Sequence, residues 1–196
     1  MQESPEKQRN GVNEERLVQA ALACGADRVA LIRQEDVALD GMFRGMCEAN
    51  RCGLFGRCYM CPPDVGPIDR LMGRLRGYER GLLYSLIAPL RDSFDVEGME
   101  AGKRRMVQVS QALLDALGPL LGDGALHLSC GGCGLCVQCA RVMDEPCHHP
   151  DRAMASLESY GVDVYTTARN AGLAYTNGPN TVTYFGLVLY GEREDG

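Results

Sequence analysis

Nine of the ten cysteines in this chain of 196 residues fall in two short stretches, Cys47, Cys52, Cys58, Cys61 and Cys130, Cys133, Cys136, Cys139, Cys147; only Cys24 stands apart. Cysteines that merely fill a core would be scattered, so this clustering points to thiols that act together. What they do depends on the compartment. The N-terminus, MQESPEKQRN, has no apolar core of a signal peptide, and the longest apolar run, Gly81 to Leu90, is too short to cross a bilayer and contains Ser85 and Pro89. These features place the chain in the cytoplasm and off the membrane. In that reducing setting, closely spaced thiols are metal ligands or catalytic groups rather than disulfides.

The second stretch reads CGGCGLCVQCARVMDEPC, with Cys130, Cys133, Cys136 and Cys139 each separated by two residues and Cys147 preceded by Pro146. Three cysteines at two-residue intervals, followed by a remote cysteine beside proline, resemble the bacterial ferredoxin pattern, in which one turning loop wraps three corners of a cubane cluster. A structural zinc ion is more often gripped by two well-separated two-cysteine knuckles. The spacing therefore favours a 4Fe-4S cluster held by Cys133, Cys136, Cys139 and Cys147, with Cys130 as a neighbouring thiol or alternate ligand; zinc and free thiols are the alternatives. Gly131, Gly132 and Gly134 let the backbone turn closely and aim amides at sulfur.

The first stretch, CEANRCGLFGRCYMCPP, supplies Cys47, Cys52, Cys58 and Cys61, enough for a second cluster, so one or two 4Fe-4S clusters are expected. Pro62 holds Cys61 at a rigid turn. The competing reading is a Gly-Pro surface loop that happens to carry thiols. If Cys58 is not a ligand, three thiolates leave one iron open to a small-molecule ligand, which turns a carrier into a Lewis acid. His148 and His149 follow Cys147; adjacent side chains diverge, so at most one faces the site. Arg44, Arg51, Arg57 and Arg141 lie beside cysteines and would offset thiolate charge, although ordinary surface arginines are equally compatible with the sequence.

Around these loops the pattern is that of an ordinary globular chain. Apolar residues make up 45% and the net charge is -6, so there is no basic stripe of the kind nucleic acid requires. Residues 1–11 read as a disordered tail and residues 12–196 as one cysteine-rich metal-binding domain. Helices are expected from Asn13 to Cys24, Pro67 to Tyr78 and Val96 to Leu117, the last ended or bent by Gly118-Pro119, with two short ones over 151–160 and 163–172. Strands are expected over 28–33, 81–88, 125–129 and 181–190, and residues 41–66 read as loop because of their glycines and prolines. This makes an α+β or α/β fold: a single sheet of about four or five strands with packed helices.

The stretches CEANRCGLFGRCYMCPP, GGCGLCVQCARVMDEPCHHPDRAMASLESYGVDV and YTNGPNTVTYFGLVLY together resemble the predicted metal-binding family catalogued as domain of unknown function 2284, over nearly the whole chain after the tail. On that resemblance Cys47, Cys52, Cys61, Cys133, Cys136, Cys139 and Cys147 occupy the family's cysteine positions, while Cys58 and Cys130 are additions in this sequence. The resemblance implies metal binding and a link to anaerobic metabolism, without supplying a reaction. Three functions follow: an iron–sulfur protein passing electrons to a redox partner protein, an enzyme whose open iron binds a small molecule, or a zinc-stabilised interaction module. No phosphate-binding glycine loop, HExxH or GxSxG motif is present, and enzymatic activity is left open.

Overall fold

The computed structural model describes residues 12–122 and 124–192, so the expected tail over 1–11 lies outside the described residues. Nine elements follow in order: α1 (Glu14–Ala23), β1 (Arg28–Arg33), α2 (Met42–Glu48), α3 (Ile68–Arg76), β2 (Tyr78–Pro89), α4 (Val96–Leu121), β3 (Leu126–Leu128), α5 (Val164–Asn170) and β4 (Thr181–Glu192). Local chemistry sets the helix starts. Asn13 Oδ1 accepts the Arg16 N–H at 3.1 Å to open α1, and Asp95 accepts the Gly98 N–H at 3.1 Å to open α4, each satisfying an amide that has no helical partner.

The four strands form one sheet in the order β1-β2-β4-β3, and every neighbouring pair is antiparallel. Antiparallel pairing throughout makes the fold α+β; the α/β alternative rests on parallel strands. β2 and β4 form the long central ladder, from Tyr78 opposite Glu192 to Pro89 opposite Thr181. Side chains alternate across it with period two. Leu82, Tyr84, Leu86, Val188 and Tyr190 pack with Leu17 of α1 and with Met106, Val109, Leu113 and Leu117 of α4. Leu83, Phe185, Leu187 and Leu189 pack on the other face with Leu71 and Leu75 of α3, Leu157, Tyr160 and Ala168. Both faces are covered, which is why β2 reads as an almost unbroken apolar run rather than as alternating polar and apolar residues.

β2 opens at Tyr78, where a helix end is expected and three residues before the expected strand start, and three further stretches differ from the sequence reading. Residues 41–66 are not all loop: α2 forms there despite Gly45, whose helical cost is about 1 kcal/mol relative to alanine. The anchor is the buried Arg44, whose guanidinium donates to the carbonyls of Gly66 at 2.8 Å and Ser159 at 3.2 Å. The expected helix over 151–160 is absent apart from a single 3-10 turn at Glu158–Tyr160. Instead the chain runs beside the end of β3, with the Ser129 N–H donating to Ala155 at 2.9 Å and the Leu157 N–H donating to Ser129 at 3.0 Å. Pairing with that strand end overrides local helix propensity. α4 passes through Pro119 to Leu121 and stops at Gly122, where φ is 72°.

A polar chain crosses the apolar layer between the sheet and α4. Tyr84 Oη lies 2.7 Å from both Ser110 Oγ and His127 Nε2, and Ser110 Oγ lies 2.8 Å from Ser129 Oγ. Each hydroxyl is paired, as burial demands. Tyr84 faces Gly186 across the ladder, and a Cβ at Gly186 would overlap the tyrosine ring. Because that ring is fixed by two hydrogen bonds, Gly186→Ala is expected to cost about 3 kcal/mol and to lower Tm by roughly 6–12 °C in a thermal melt. Burial holds His127 at about 4, below the ordinary imidazole value, so the folded state favours the neutral ring. The unfolded chain therefore binds more protons between its ordinary value of about 6.5 and about 4. The stability this ring contributes is complete above that window and is lost as pH falls through it. His127→Asn should flatten this slope in denaturant titrations across the window.

Candidate metal centre

The two cysteine loops enter the site from different elements. The first leaves α2, which places Cys47 in its last turn, and continues to α3; the second leaves β3 at Ser129 and returns to the same point at Ala155. In the first loop Asn50 Oδ1 accepts the Phe55 N–H at 3.0 Å, and the Cys61 N–H donates to the Cys58 carbonyl at 2.9 Å. That turn brings the two side chains of the CYMC segment together. Both are buried, whereas Cys47 is half-buried and Cys52 exposed.

Three contacts join the loops to one another. Leu54 lies over Gly132, where any Cβ would meet its Cδ1. The Tyr59 hydroxyl donates to the Glu145 carbonyl at 2.7 Å, and Arg141 Nε donates to Asp64 Oδ1 at 2.8 Å. Arg141 also pairs with Asp144, so its charge is committed to carboxylates rather than to the thiols beside which the sequence placed it. Arg44 has likewise turned out to be an anchor for carbonyls, with Glu48 at the edge of reach at 4.0 Å.

Between the joined loops and α4 opens a cavity of about 630 Å3. Its wall includes Cys58 from the first loop and Cys133, Cys136, Cys139 and Cys147 from the second. The four second-loop cysteines singled out from their spacing thus face one space, in the company of Cys58. Cys47, Cys52 and Cys61 do not line it. Cys61 lies against Cys58 and within electrostatic range of Cys47 and Cys52, so the four first-loop thiols lie near one another. His149 lines the cavity, while His148 Nε2 sits 3.7 Å from a Glu145 carboxylate oxygen. Among the described residues no three Cys, His, Asp or Glu side chains converge closely enough to clasp a single ion.

Hydrogen bonding decides which thiol ionises first. Cys58 is held well below the ordinary thiol range chiefly by the Cys61 thiol that donates to it; burial opposes this, and the N–H groups of Cys133 and Met60 and the Cys139 thiol add to it. Cys61 moves the other way, because it supplies that proton and is buried. Burial also pushes up Cys47 and Cys133. The ligand form of cysteine is the thiolate. Cys58 lies at the point where the two loops meet, and its neighbours there favour that form over the thiol.

The sequence reading missed the third wall. Glu100, Lys103, Arg104 and Val107 of α4 line the cavity, four residues at the i, i+3, i+4, i+7 spacing of one helical stripe. The apolar stripe that packs on the sheet was the evident signal in that segment; the polar stripe resembles any solvated helix face until the fold sets it against the thiols.

Residues 30–190 match the family described as predicted metal-binding protein (DUF2284). The chain belongs to this family. No curated protein and no solved structure is detectably similar to it. Among the described residues no helix is long and apolar enough to cross a membrane. The DUF2284 match spans both cysteine loops, all four strands apart from the first two residues of β1 and the last two of β4, and α2 to α5. Cys130, one of the two additions noted in the sequence, packs with the apolar cluster beneath α4 and does not line the cavity; burial pushes its thiol up to about 12. Cys130→Ala should leave metal content unchanged in elemental analysis of the purified protein.

Proposed function

We propose that the thiol-lined cavity holds an iron–sulfur cluster of the 4Fe-4S type and that the protein carries electrons for a redox partner protein in anaerobic metabolism. The observation that carries this reading is that five thiols from two loops border one cavity. Soft thiolates suit iron–sulfur clusters and zinc alike. A cluster bonds each thiolate to a different iron, however, so donors spread around a cavity fit it better than they fit one tetrahedral ion. Cys133, Cys136, Cys139 and Cys147 are the assigned ligands, and Cys58 stands ready as a fifth donor at the junction. Cys47, Cys52 and Cys61 are the remaining thiols for a second centre, which Cys58 completes if it leaves the first.

When bound, such a cluster supplies one-electron transfer at a potential set by its charge, its hydrogen bonds and its exposure. The chain's own residues act on each of these. Arg57 places positive charge on the cavity wall, and Leu54, Val107 and Leu135 limit the access of water. Protein purified without oxygen should be brown, contain iron and acid-labile sulfide in equal amounts, and give a paramagnetic signal on reduction. Cys139→Ser should lose most of that iron. Colourless wild-type protein carrying zinc would overturn the assignment.

A further inference from the structure

The thiol cavity is roomy and carries three cationic side chains on its wall. At about 630 Å3 it falls within the range of small-molecule sites, about 300–1,000 Å3. The chain carries a net charge of -6, yet Lys103, Arg104 and Arg57 border this one space against a single carboxylate, Glu100. The stem of Lys103 lies along the second cysteine loop, with its Cε 3.3 Å from where a Cβ on Gly131 would be. Its ammonium is only loosely paired, 3.9 Å from Glu100 Oε1. Arg104, one residue on, has no carboxylate within ion-pair distance among the described residues. By contrast Arg141 and Arg152 are each tied to aspartates, Arg152 to Asp115 at 2.8 Å. Beside the thiols and the polar Tyr59, Gln138 and His149, the wall has an apolar part, with Leu54 and Val107 closing on Gly132 and Gly134.

We propose that this cavity binds a small organic anion, a carboxylate or phosphate with a short apolar body, whose charged group is held by Lys103 and Arg104 and whose body lies against Leu54, Val107 and Leu135 beside the cysteine loop. The inference rests on the metal-centre reading only for what the anion would lie next to; its charged binding groups are side chains of α4, and its apolar contacts come from α4 and both loops. Charge-assisted hydrogen bonds to an anion are the strong ones, and a partly closed cavity strengthens them. The stripe of α4 thus acquires a role that covering the sheet does not require.

Calorimetric titration of anaerobically prepared full-length protein with inorganic phosphate, butanoate and butylammonium tests this. Phosphate or butanoate should bind at millimolar concentration or tighter, and butylammonium should not. K103A/R104A should weaken binding by at least about tenfold, the loss expected for one charge-assisted hydrogen bond, while K103R/R104K should retain it. Absence of anion binding to the wild type, or equal binding by the double-alanine variant, would overturn the proposal. So would loss of iron from that variant, because the two cations would then serve the centre itself. Iron and sulfide analysis of the same samples separates the two readings. Wild type without iron that still binds anions in a Lys103- and Arg104-dependent way defeats the cluster assignment alone, whereas iron-loaded wild type without anion binding defeats the anion site alone.

Discussion

The site depends on the seam between two loops that are far apart in sequence. Leu54 over Gly132, Tyr59 on the Glu145 carbonyl and Arg141 on Asp64 hold the loops together with one apolar contact, one neutral hydrogen bond and one ion pair. None is strong alone. The ion pair is partly exposed, and such pairs contribute on the order of 1 kcal/mol or less. Together they bring Cys58 against Cys139 and the Cys133 amide, so that thiols from both loops border one space. Without the seam each loop would carry its cysteines separately.

The long helix α4 serves two neighbours at once. One stripe, including Met106, Val109, Leu113 and Leu117, packs on the sheet and its polar chain. A second stripe, from Glu100 to Val107, forms a wall of the thiol cavity. Orientation of that wall is therefore inherited from core packing: the deeper the first stripe sits on β2 and β4, the less freedom the second has. The buried Tyr84, Ser110 and Ser129 hydroxyls reinforce this, since they join α4 to β2 and to the residue from which the second loop departs.

Much of the framework was legible in the sequence because its signals are local. Asn13 as a cap, the apolar run of β2, the β-branched and aromatic residues of β4 and the spacing in α4 each specify an element through near neighbours. The errors came where distant contacts decide. α2 exists because a buried arginine reaches Ser159 and Gly66, and the chain over 153–157 runs beside β3 instead of forming a helix because Ser129 offers its peptide groups. At the site, the expected set of three closely spaced cysteines, Cys133, Cys136 and Cys139, and the remote Cys147 beside proline does border one cavity. That Cys58 would join them, and that Cys47, Cys52 and Cys61 would not line it, depends on how the loops meet, and no spacing within either loop encodes that. The charged stripe of α4 was hidden for a related reason: the same residues on another helix would simply face solvent.

The second cysteine loop begins and ends at one place on the sheet, where Ser129 bonds to both Ala155 and Leu157. An excursion closed at its neck in this way is topologically a side pouch: none of the paired residues of the four strands lies within 130–154. Local opening of such a unit need not spread through the molecule. Rearrangement of this pouch around a metal would consequently leave the pairing of the four strands in place.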